Sequence, residues 1–128
     1  MSPPGGGDRV SAAAIAEAKR WYWQRISAMV LALCVLVHLV IMIYAVRGGL
    51  SAAEILGRTQ GSWSFGVFYA VFVVACAVHV PVGLANIARE WWGVGAHVAL
   101  LGARLFGLLL LVIGLRAVWA VVATGAAA

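Results

Sequence analysis

Ile26-Ser-Ala-Met-Val-Leu-Ala-Leu-Cys-Val-Leu-Val-His-Leu-Val-Ile-Met-Ile-Tyr-Ala-Val46 decides the fold. The run holds no Asp, Glu, Lys or Arg, and its only titratable groups are Cys34, His38 and Tyr44. It reaches the roughly 20 apolar residues a helix needs to cross the hydrocarbon core of a bilayer. Trp63 to Ala88 is a second run without Lys, Arg, Asp or Glu, and Val98 to Ala123 is a third, interrupted by Arg104 and Arg116. The chain has 128 residues, 65% of them hydrophobic and 10% charged. A soluble domain of that size cannot hide so much apolar surface, since soluble domains are nearer half apolar and a quarter charged. The expected fold is an all-α membrane protein, three transmembrane helices in a bundle, with a short amphipathic helix at the amino terminus.

The segments between the spans complete this layout. Met1 to Asp8 is rich in Pro and Gly and reads as disordered. Ser11 to Arg20 reads as a short helix capped by Ser11. Residues 1–20 thus form a cytoplasmic tail, and 21–128 an anchor domain with helices over about 22–46, 63–90 and 95–123. Trp21-Tyr22-Trp23 and Trp91-Trp92 mark one membrane interface, where amphipathic rings collect. Arg47 to Ser62 is a polar turn region in which Ser51 can cap a short surface helix. Cys34 and Cys76 form no CxxC pair and read as small buried hydrophobes. The first apolar run is too long for a secretory signal and lacks a small-x-small cleavage pattern.

The formal net charge is +5, but the nine basic residues are scattered, which argues against nucleic acid and for topology signals. Lys19, Arg20, Arg25, Arg89 and Arg104 lie toward one side, and Arg47, Arg58 and Arg116 toward the other. The excess predicts the amino terminus and the second loop on the cytoplasmic face and the carboxyl terminus outside, and the expected location is a bacterial-type cytoplasmic membrane that the chain crosses several times.

Two histidines sit deep in the apolar runs. An ionisable ring at membrane depth is expensive and points to function, and imidazole is a common ligand of iron. Helical spacing puts Gln24, Ser27, Leu31, Cys34 and His38 on one face, and Phe68, Phe72, Cys76, His79, Gly83, Asn86 and Glu90 on another. Gly83, one turn from His79, leaves room for a flat macrocycle or a close helix. Pro81 frees the carbonyl of Ala77. On the third helix His97 and Arg104 share a face, so Arg104 is a candidate partner for a haem propionate, while His97 reads as a surface residue. At 1.5 Å per residue His38 lies roughly 20 Å from Arg25, and His79 roughly 15 Å from Arg89. The two could hold one haem together or two at different depths. The bland alternative is that an intramembrane histidine simply hydrogen-bonds to a neighbouring helix, a contact worth about 1 kcal/mol. His79, with its glycine and polar stripe, favours ligation more than His38.

Trp23-Gln24-Arg25-x-Ser27-Ala28 followed by His38 resembles the first helix of the membrane cytochrome b subunits of succinate dehydrogenase and fumarate reductase. His79-x-x-x-Gly83-Leu84 running to Glu90-Trp91 resembles their next helix. The resemblance spans roughly Trp21 to Trp92, and the third helix matches only in character. It implies a haem b-binding anchor of a succinate:quinone or quinol:fumarate oxidoreductase, a non-catalytic electron-transfer subunit. Its partners would be a flavoprotein, an iron–sulfur subunit, the bilayer, and a second membrane subunit or second copy of itself. By that resemblance His79 is an axial ligand, and His38 matches the first-helix histidine of the di-haem members. Arg25 and Ser27 match the first-helix residues near the quinone site. Glu90-Trp91 stands where many members have Asp-Tyr, and tryptophan donates one hydrogen bond but cannot act as a phenol acid. Two other readings are a haem-free structural anchor of the same complex and the cytochrome b of another respiratory oxidoreductase, although the latter generally has more helices and histidines.

Overall fold

The computed structural model describes residues 5–123. Four helices follow one another, α1 (Gly6–Gly48), α2 (Ala52–Thr59), α3 (Trp63–Trp92) and α4 (Ala96–Val122). Three of them, α1, α3 and α4, are long and apolar enough to span a membrane. The all-α, three-span architecture is therefore as the hydropathy runs dictate.

The amino-terminal helix is not a separate element. With no proline between Gly5 and Gly49, nothing interrupts the backbone ladder, and α1 runs through the Trp21–Trp23 belt as one 43-residue helix. At 1.5 Å per residue it is about 65 Å long, roughly twice the thickness of a hydrocarbon core. Gly6, Gly7 and Asp8, expected to be disordered, form its first turn. Met1 to Pro4 lie outside the described residues.

The short surface helix capped by Ser51 is present as α2. Ser51 Oγ accepts from the Glu54 amide at 3.2 Å, and the Glu54 carboxylate accepts from the Ser51 amide at 3.0 Å, a reciprocal capping box. Behind it, buried Thr59 donates to the Val121 carbonyl (2.7 Å) and the Gly61 amide donates to Val122 (2.9 Å), so the α2 turn is tied to the end of α4. At the opposite end Gly93 closes α3 in a left-handed conformation (φ 60°), and the Val94 amide donates to Ala88, turning the chain into α4.

Helix α3 is the central element. It packs along its length on α4 and more lightly on α1, whereas α1 and α4 share no comparable interface. The α3–α4 contact is built on small residues, with Ala99, Ala103 and Gly107 buried on α4 and Ala75 and Ala85 on α3. Where Pro81 cannot donate to the Ala77 carbonyl, Gly107 comes close, and a Cβ on Gly107 would lie 3.1 Å from that oxygen. The outer faces stay apolar and exposed, as at Val40 (67%) and Leu101 (61%), which suits contact with lipid tails.

Candidate functional site

The two predicted polar stripes meet across α1 and α3. Ser27 and Cys34 are buried on α1, and Gln24, Leu31 and His38 are half-buried beside them. Two side-chain hydrogen bonds fix the antiparallel register, Ser27 Oγ with His79 Nδ1 at 3.3 Å and His38 Nδ1 with the Tyr69 hydroxyl at 3.1 Å. Ser27 to His38 along α1, and His79 back to Tyr69 along α3, are each about 15–17 Å at 1.5 Å per residue. A metal ion with two imidazole nitrogens at about 2 Å each holds them only about 4 Å apart. The two histidines therefore cannot ligate the same iron.

Their surroundings differ as much as their depths. His79 faces a cleft of about 490 Å³ formed by α1, α3 and the first turns of α4, lined among others by Arg20, Gln24, Arg25, Asn86 and Arg89. That volume lies in the range of ordinary small-molecule sites. Its mouth carries three guanidinium groups, with Arg25 stacked over Trp21 at 4.8 Å, and one carboxylate, Glu17. Gln24 Oε1 is buried without a hydrogen-bond partner, an acceptor the fold leaves unsatisfied beside the cleft. At Gly83 a Cβ would stand 3.7 Å from the Gln24 amide nitrogen, an ordinary van der Waals contact.

His38 sits instead in an aromatic setting. The Tyr69 ring meets it edge-on at 5.8 Å and the Phe72 ring lies tilted at 6.0 Å, with Phe68 packed against both. Tyr69 is the residue the sequence reading passed over. It lies three residues before Phe72 and continues the Phe72-Cys76-His79-Gly83 stripe, a signal that was there to be read.

Arg104 and His97 are exposed on α4 and share a shallow groove with Val98, Leu100 and Leu101 of the same helix. Arg104 is not among the residues of the His79 cleft, so the structure does not bring this expected propionate partner to the histidine. Glu90 and Trp91 are exposed at the end of α3, and Glu90 borders a neighbouring groove with Glu17, Asn86 and Arg89. Arg25 lines the cleft and Ser27 bonds the histidine within it. Of the residues singled out, His79, Ser27 and Arg25 come together, Glu90 stands next to them, and His38, Arg104 and Trp91 stand apart. Among the described residues no three His, Cys, Asp or Glu side chains converge on one point. Cys34 and Cys76 are free thiols, the first buried and the second half-buried. Comparison with protein-family models, with curated proteins and with solved structures gives no match to this chain.

Proposed function

We propose that the chain is a haem b-binding membrane anchor subunit of a succinate:quinone or quinol:fumarate oxidoreductase. In this reading it passes electrons between iron–sulfur clusters and membrane quinone. The observation that carries it is His79, an intramembrane imidazole held by Ser27 at one nitrogen and facing a cationic cleft. The residues suit the group. His79 offers an axial nitrogen, and Arg20, Arg25 and Arg89 can neutralise the two acidic arms of a haem. Haem bound here would supply a one-electron carrier between the iron–sulfur side and the quinone pool. The assignment to this complex, with flavoprotein and iron–sulfur subunits as partners, rests on the sequence resemblance along Trp21 to Trp92. Glu90, at the interface beside the cleft, can hold a proton for quinone chemistry, and Arg25 can orient an anionic or carbonyl group there. The second axial ligand comes from outside this chain, from another membrane subunit or a second copy, because His38 is too far away. The cleft end faces the cytoplasm, with the amino terminus on that side and the carboxyl terminus outside.

Dithionite-reduced minus oxidised spectra of the purified complex test the assignment. His79→Ala is expected to abolish the b-type absorbance, and His38→Ala to keep most of it. Unchanged absorbance in His79→Ala would remove His79 as a ligand. A second reading, a haem-free structural anchor of the same complex, is favoured by one observation: both histidines already have hydrogen-bond partners within the chain. Haem content per purified complex separates the two, since the second reading requires none.

A further inference from the structure

We propose that Ser27 and Tyr69 are positioning residues that hold the two intramembrane histidines as opposite tautomers, so that only His79 presents a bare Nε2 to a metal. This inference rests on the haem-ligand reading of His79. Ser27 carries one hydroxyl proton and has two neighbours that could take it, the Gln24 carbonyl at 3.1 Å and His79 Nδ1 at 3.3 Å. Both bonds are made together only when the hydroxyl donates to Gln24 and accepts from Nδ1–H of His79. Ser27 is 5% exposed, so neither bond is readily replaced by water. A neutral imidazole protonated at Nδ1 has its lone pair on Nε2. Among the described residues that nitrogen has no hydrogen-bond partner and is not sealed off, and the ring lines the cleft. Ser27 thus does what the outer-shell partner of a metal-bound histidine does, fixing tautomer and ring orientation.

The Tyr69 hydroxyl acts the other way. Its one side-chain partner is His38 Nδ1. Phenol is the stronger acid and the imidazole nitrogen the stronger base, so the favoured bond runs from the hydroxyl to a bare Nδ1. The reverse arrangement would leave the phenol proton without an acceptor in a low-dielectric setting. With Nδ1 accepting, the ring proton of His38 sits on Nε2, which cannot then ligate. The chain has two deep histidines and, by this pattern, a single ligand.

Only three histidines are present, which makes the test direct. The full-length chain, labelled with nitrogen-15 histidine and placed haem-free in lipid bilayers, is measured by solid-state NMR near pH 8.5, where ordinary imidazole is neutral. Removing each histidine in turn assigns the signals. His79 is expected to be mainly Nδ1–H and His38 mainly Nε2–H. Ser27→Ala should move His79 to mainly Nε2–H, the form a free histidine side chain prefers, and Ser27→Thr, which keeps the hydroxyl, should not. A wild-type His79 that is mainly Nε2–H, a His38 that is mainly Nδ1–H, or a His79 tautomer unchanged in Ser27→Ala overturns the proposal. The wild-type and Ser27→Thr measurements decide the matter even where Ser27→Ala does not fold. Because no haem is present, the outcome is independent of the absorbance test, and a surviving b-type band in His79→Ala would defeat the haem reading alone.

Discussion

Glu54 lies fully exposed at the start of α2, yet its carboxyl is held below its ordinary value of 4.5, first by the Ser51 hydroxyl, then by the Ser51 amide, with Arg58 adding to both. A carboxylate whose folded value is depressed stabilises the fold above its unfolded value, and that contribution disappears as pH falls through the folded one. The α2 amides should therefore keep their hydrogen-exchange protection at neutral pH and lose part of it as the pH drops below the ordinary value of 4.5. Glu54→Gln should show the weaker protection already at neutral pH and lose little more on acidification, meeting the wild type at the acid end. A wild-type profile that stays flat on acidification would mean the capping box does not hold α2. Within the spans the same attention to single bonds separates His38 from His79, because one partner is a hydroxyl with a second acceptor and the other is a phenol without one.

The α3–α4 contact depends on where backbones can approach. A Cβ on Gly107 would collide with the Pro81 ring and crowd the Ala77 carbonyl, and one on Gly114 would sit 2.6 Å from a methyl of Val73. Gly102, on the same helix, has nothing within 4 Å of that position. Gly107→Ala is expected to cost about 1–3 kcal/mol in unfolding from mixed micelles, as forced overpacking does. Gly102→Ala should be neutral or slightly favourable, because alanine is the better helix former. Equal effects at the two sites would show that close approach at Pro81 is not what joins α3 to α4. The three spans were legible in the sequence because hydropathy and length alone specify them, and the Ser51 cap was legible because capping is local chemistry. The continuity of α1 was not, since the tryptophan belt was read as a boundary when it marks only depth. The position of Arg104 relative to α3 was not legible either. Its spacing from His97 was read correctly, but Ala99, Ala103 and Gly107, at intervals of four, define the face turned to α3, and Arg104 follows Ala103 by about 100°.

At the scale of the molecule, the helix order gathers at one end what the sequence scatters. Arg20 and Arg25 on α1 and Arg89 on α3 border one cleft, with Arg9 and Lys19 further along α1 toward the same end. Arg47, Arg58 and Arg116 lie toward the other end. Arg58 there is occupied with the α1 terminus, its guanidinium against Gly48 and 5.6 Å over the Tyr44 ring, so part of that opposing charge is engaged by the fold. Three crossings would put the two termini on opposite sides, and short-loop Lys and Arg excess is retained in the cytoplasm, which in the proposed orientation is the cleft side. The same end must also meet an iron–sulfur subunit if the proposed role holds, since the deep histidine that lines the cleft is nearest to it. A fluorescent protein that matures only in the cytoplasm is expected to be bright when fused before Met1 and dark when fused after Ala128. A periplasm-dependent phosphatase should show the reverse. Bright carboxyl-terminal fusions would place the cationic cleft outside, away from any cytoplasmic electron donor, and would remove the physical basis for an anchor that receives electrons at His79.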